Sequence, residues 1–317
     1  MTTKRKTRLT HRKNILQNKK LVAVPIISVT IIVLASIVAF TLLQTSSKFS
    51  LKAAIVDQLE EHFQNATFKE TVTRILTDAG FNVTYYESKA VSIGFYEELA
   101  KQNYGIIILR AHSALRNDSS TVDLFTSERF SNQSYQQMWS KGFLSEGKYL
   151  FEPDSSNTYF AVTSKFIENL DGRFPRSIVI AMGCWSLKLG TDQLAQAFID
   201  KGAEAYIGWS NLVLPKDTDQ ETATLLEKLV QQDKPLGLAV SEAKIYTYSA
   251  ESNVTIQTRL DFRPYSSVNL TLSQLVASAE NSAKTTLLSS FQNAISLVAK
   301  PVRRLRDLFS ETTRLAS

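Results

Sequence analysis

Ser177-Ile-Val-Ile-Ala-Met-Gly-Cys-Trp-Ser186 decides how this chain is read. An apolar, largely β-branched run meets Gly183, and the single cysteine of the chain follows at Cys184. A second run of the same form, Gly105-Ile-Ile-Ile-Leu-Arg-Ala-His-Ser-Ala114, ends at His112. Short runs of this kind bounded by turn residues read as buried strands of a parallel sheet. In open α/β sheets, chemistry collects at the carboxyl ends of the strands. Two strand ends therefore offer a thiol and an imidazole, the minimal parts of cysteine nucleophilic catalysis.

Working outward, the same rhythm continues on both sides. Ala53 to Val56 reads as a first strand ending at Asp57, and Phe68 to Ala79 as a helix closed by Gly80. Phe81 to Tyr86 alternates as a second strand, and Val91 to Gln102 has helical spacing. After Met182, Asp192 to Lys201 reads as a helix stopped by Gly202, and Ala205 to Gly208 as a fifth strand. Thr222 to Val230 and Leu236 to Tyr248 are expected to be helical, and Ile256 to Phe262 to be a late strand at a sheet edge. Strand–helix alternation implies right-handed crossovers and a mostly parallel central sheet. Between 115 and 174 the pattern breaks into aromatic residues separated by polar turns. This predicts an insertion with hairpins, its strands at Tyr149 to Phe151 and Tyr159 to Thr163, hanging over the site as a lid or binding element.

The 317 residues are expected to divide into four parts. These are a basic tail over 1–20, an apolar span over 21–43, an α/β domain over 51–265 carrying the insertion, and a helical tail over 266–317. Leu21 to Leu43 is uncharged, and 23 residues at about 1.5 Å each cross the hydrocarbon core of a bilayer. The basic residues before it, Lys4 to Lys20, place the N-terminus in the cytoplasm and the main domain outside. A cleaved signal peptide is the alternative, but its apolar core is usually shorter, about 7–15 residues. The net charge of +6 comes from this tail, which suits anionic lipid and not nucleic acid. Six N-x-Ser/Thr sequons, at Asn65, Asn82, Asn117, Asn132, Asn253 and Asn269, agree with an exported glycoprotein. With three histidines, one of them in the basic tail, no metal site is expected.

A lone cysteine in an exported domain has two readings: a small buried hydrophobe, or a retained nucleophile. The second needs a base within reach and backbone N–H groups facing the developing oxyanion. His112 is the expected base, with His62 as a fallback. The N–H groups of Ser113 and Cys184 are the expected oxyanion donors. No Gly-x-Ser-x-Gly elbow is present to support a serine hydrolase.

The order of these segments resembles the caspase-like cysteine peptidases, most of all the gingipain branch, with some similarity to CHAT domains. The matching stretches are Ile106 to Ser113, Ile178 to Ser186, and Leu194-Ala-Gln-Ala-Phe-Ile-Asp-Lys-Gly-Ala-Glu-Ala-Tyr-Ile-Gly-Trp-Ser210. The resemblance implies a three-layer sandwich, Cys184 as nucleophile and His112 as general acid and base. It also implies a substrate pocket from Trp185, Trp209, Ser210 and Asn211. Asp57 has two readings, a pocket residue favouring basic side chains or a carboxylate capping the turn after the first strand. No cofactor is implied. The partner implied is a peptide or protein, hydrolysed at the outer face of a membrane. The alternative is a caspase-like binding module without turnover. Ser113 and Trp185 depart from the pattern, which usually has glycine after the histidine.

Overall fold

The computed structural model describes residues 48–117, 120–149, 157–249 and 255–281. The span expected over Leu21 to Leu43 and most of the C-terminal tail lie outside them. Among the described residues, no helix is long and apolar enough to cross a membrane.

Five runs form the parallel part of a six-stranded sheet: β1 (Lys52–Asp57), β2 (Asn82–Tyr86), β3 (Ile106–Arg110), β8 (Ile178–Ala181) and β9 (Ala205–Trp209). A sixth strand, β12 (Leu260–Arg263), closes the edge antiparallel to β9, giving the order β12-β9-β8-β3-β1-β2. The central strands β3 and β8 are wholly buried and mostly β-branched because their side chains alternate between two covered faces. Ile106, Ile108, Ile178 and Ile180 pack on one face with helices α1 (Ala66–Asp78), α6 (Pro215–Leu226) and α7 (Leu236–Ser241). Ile107, Leu109, Val179 and Ala181 pack on the other with α2 (Ile93–Leu99), α4 (Ser164–Glu168) and α5 (Gln193–Asp200). The chain is thus a mixed α/β fold with helices on both faces of a mostly parallel sheet.

The insertion is a second sheet. β4 (Ser113–Leu115), β5 (Val122–Arg129), β6 (Leu144–Lys148) and β7 (Thr158–Val162) pair antiparallel in the order β4-β5-β7-β6, with α3 (Gln136–Ser140) between β5 and β6. β7 falls where a strand was expected. β6 ends at Lys148, just before the strand expected at Tyr149 to Phe151, of which Leu150 and Phe151 lie outside the described residues. β5 was hidden because its inward residues include Asp123 and Thr126, which are buried through Arg116 and the Phe160 carbonyl.

The helix expected over Leu236 to Tyr248 stops at Ser241. Tyr246 to Ser249 instead forms β10, paired with β11 (Thr255–Thr258), because Tyr246 is drawn into the core against Trp209 with its hydroxyl on Glu221. The single late strand is split at Arg259, whose backbone exchanges hydrogen bonds with Ser210. Its second half is the edge strand β12.

Candidate active site

The residues that the sequence pairs sit beyond the adjacent ends of β3 and β8, whose register runs from Ile106 opposite Ile178 to Leu109 opposite Ala181. Cys184 packs with the face that carries Ile108 and Ile180, whereas the His112 ring joins the aromatic cluster of Phe125 and Tyr149. The two loops touch directly. The Ser113 hydroxyl donates to the Cys184 carbonyl at 2.6 Å. A β-carbon on Gly183 would lie 2.3 Å from Ser113 Oγ and 2.5 Å from the Ala111 carbonyl, so only glycine permits this approach.

His112 leaves β3 just as β4 begins. Its carbonyl accepts from Phe125 N at 2.9 Å, which by antiparallel alternation turns the Ser113 N–H away from β5. Ser113 N lies against Gly183, 2.7 Å from where a β-carbon on that glycine would stand. The imidazole lies among aromatic rings, with centroids 4.6 Å from Tyr149, 6.0 Å from Phe63 and 6.1 Å from Phe125. Burial in this cluster, with the charges of His62 and Arg110, pushes its pKa down to about 3. His62 was expected at the surface. It is half-buried, its ring 5.5 Å from that of Tyr149.

Cys184 is half-buried. Its Sγ donates to the Val213 carbonyl at 3.5 Å and accepts from Val213 N at 3.4 Å. Burial pushes the thiol pKa up, opposed by the contact with Val213. Both groups of the pair are therefore neutral at rest.

The segment after the thiol is docked on β9. Trp185 N donates to the Asn211 carbonyl at 3.0 Å, Leu187 N to the Trp209 carbonyl at 3.0 Å, and Trp209 N to Ser186 Oγ at 2.9 Å. Trp185 takes a left-handed φ of 54° and packs on the opposite face of the sheet from the thiol. Among the expected pocket residues, Trp209 is wholly buried, its indole N–H donating to Thr218 at 2.8 Å. Asn211 lies beside the thiol loop, with its N–H in line with Thr258 Oγ1 at 3.1 Å. Ser210 ties β9 to Arg259.

Asp57 is engaged below the site. Its carboxylate accepts from Arg110 at 2.6 Å and from the Tyr85 hydroxyl at 2.7 Å, and it is 1 % exposed. Burial raises its pKa, against the pull of Arg110. Arg110 also grips Asp219 through two nitrogens, at 2.7 and 2.9 Å, and the Phe63 carbonyl at 2.7 Å. This network fastens α6 and the turn after β1 beneath the strand that carries His112.

Three contributors were not anticipated: Gln58, Tyr149 and the Val213 peptide. Gln58 carried a signal, since it directly follows the first strand at its carboxyl end. Comparison of the chain with protein-family models and with curated proteins returns no match.

Proposed function

We propose that the chain is a cysteine peptidase of caspase-like architecture, a three-layer sandwich anchored by Leu21 to Leu43 with its α/β domain outside the membrane. The observation that carries this reading is the adjacency of β3 and β8, which brings the only cysteine and His112 to one sheet end within loops joined by the Ser113–Cys184 hydrogen bond. In this reading Cys184 Sγ attacks the peptide carbonyl carbon while its proton passes to His112. The C–N bond then breaks as His112 returns that proton to the leaving amine. Water, deprotonated by His112, cleaves the thioester and restores the thiol. The Ser113 and Cys184 N–H groups hold the oxyanion.

A second reading, a binding module without turnover, is favoured by the burial of both groups, which lowers the imidazole pKa and raises that of the thiol. Thiol alkylation separates the two. The full chain is treated with iodoacetamide from pH 6 to 10, and hydrolysis of a fluorogenic peptide library is followed in parallel, with Cys184→Ala as control. Hydrolysis that vanishes in Cys184→Ala, with peptide-based electrophiles labelling faster than iodoacetamide, supports the peptidase. A thiol that reacts only above its ordinary alkaline range, with no peptide turned over, sinks it.

A further inference from the structure

We infer that Gln58 is a positioning residue for His112: one buried amide fixes both the peptide that carries the imidazole and the tyrosine packed against it. The inference deepens the peptidase reading and rests on it for its catalytic meaning.

The backbone around His112 carries the argument. In an antiparallel pair, residues opposite each other at a hydrogen-bonded position exchange two bonds. His112 and Phe125 hold one of these, from Phe125 N to the His112 carbonyl at 2.9 Å. The other ends go to side chains. His112 N donates to Gln58 Oε1 at 3.0 Å, and the Phe125 carbonyl accepts from the Tyr96 hydroxyl at 3.1 Å. The strand is thus opened at the histidine, and Gln58 holds the gap. Gln58 is 1 % exposed, and its own carbonyl accepts from Ser88 Oγ at 3.0 Å, so its position is set from both ends.

The chemistry of the amide fixes its orientation. A peptide N–H only donates, so the Gln58 oxygen must face His112 and the NH₂ must face away. The NH₂ donates to the Tyr149 hydroxyl. The Tyr149 ring lies 4.6 Å from the imidazole at 40° and stacks on Phe125 at 5.3 Å. Tyr149 comes from the insertion, Gln58 from the turn after β1, and His112 from the end of β3. One side chain ties these three elements together around the base.

The chain has three histidines, so imidazole NMR signals of the isotope-labelled full chain in detergent micelles can be resolved. In the wild type, nuclear Overhauser contacts between the His112 and Tyr149 rings are expected. Gln58→Leu removes them and lowers kcat on a hydrolysed peptide by about 10- to 100-fold, with KM nearly unchanged, because a misplacement of order 1 Å at a reacting group costs about that much. Gln58→Glu keeps the acceptor for His112 N and can accept from the Tyr149 hydroxyl. It retains the ring contacts and restores most of kcat. If Gln58→Leu does not fold, Tyr149→Phe carries the test, because it removes only the hydroxyl that Gln58 holds and should weaken the ring contacts. Unchanged ring contacts in Gln58→Leu or Tyr149→Phe, or an effect confined to KM, overturns the inference. If no variant and no wild type cleaves any peptide, the peptidase reading fails, while the ring contacts still decide whether Gln58 sets the imidazole.

Discussion

Arg110→Met tests the network beneath the site. Methionine keeps an apolar stem of similar reach and removes the guanidinium. Four hydrogen bonds disappear: to Asp57 at 2.6 Å, to Asp219 at 2.7 and 2.9 Å, and to the Phe63 carbonyl at 2.7 Å. The two carboxylates, 1 % and 4 % exposed, stay behind without their shared cation. Breaking a buried ion pair from one side costs about 3–5 kcal/mol, and two stranded partners put this site at the upper end. The assay is urea unfolding followed by tryptophan fluorescence, where a loss of that size lowers the midpoint by roughly 2 M. The deficit should also depend on pH. Arg110 lowers the Asp57 pKa, which burial already holds above its ordinary value. Without Arg110 the folded carboxyl binds its proton to still higher pH, whereas unfolded Asp57 ionises near pH 3.9. The variant therefore loses stability as pH rises through that window and regains part of it on acidification. Adding Asp57→Asn and Asp219→Asn to Arg110→Met should recover much of the loss at neutral pH. A deficit below about 1 kcal/mol at pH 7, or one that widens on acidification, refutes the reasoning.

Two further predictions concern the site itself. His112 holds a folded pKa near 3, below the unfolded value of about 6.5, so its contribution is intact above pH 6.5 and is lost as pH falls towards 3. His112→Asn should flatten the acid limb of the stability profile by at most about 1.4 kcal/mol per pH unit, and a ring signal titrating near 6.5 in the folded wild type contradicts it. Gly183→Ala drives a methyl to within 2.3 Å of Ser113 Oγ, so about 1–3 kcal/mol of stability should disappear in calorimetry. An unchanged melting temperature means the two loops are not in contact.

The central strands β3 and β8 were legible because each is buried on both faces and so reads as a short apolar run rich in β-branched residues. That Cys184 and His112 follow neighbouring strand ends was legible in the same runs, since β3 and β8 pair directly. What stayed hidden depends on long-range partners. Asp123 looks like a turn residue until Arg116 reaches it at 2.6 Å. Tyr246 to Ser249 continues a helical pattern until Trp209 and Glu221 pull it into a hairpin. Asp57 offered an acidic strand end to a pocket, but its charge is matched inside the protein by Arg110, 53 residues along the chain. The protonation of the pair was illegible for the same reason, because the rings that dry His112 come from a turn and an insertion whose packing no local pattern encodes.

The edge strand β12 has a consequence for biosynthesis. A chain emerging from a ribosome adds about 5–20 residues each second, and domains build from the N-terminal side. β9 is complete at Trp209, but its partner begins only at Leu260. For the seconds between, the buried strand Ala205-Tyr-Ile-Gly-Trp209 presents an open backbone edge, the kind of template on which nascent chains join one another. A ribosome pausing within α6 or α7 lengthens that exposure, so the codons of this stretch weigh on the yield of native protein more heavily than its ordinary composition suggests.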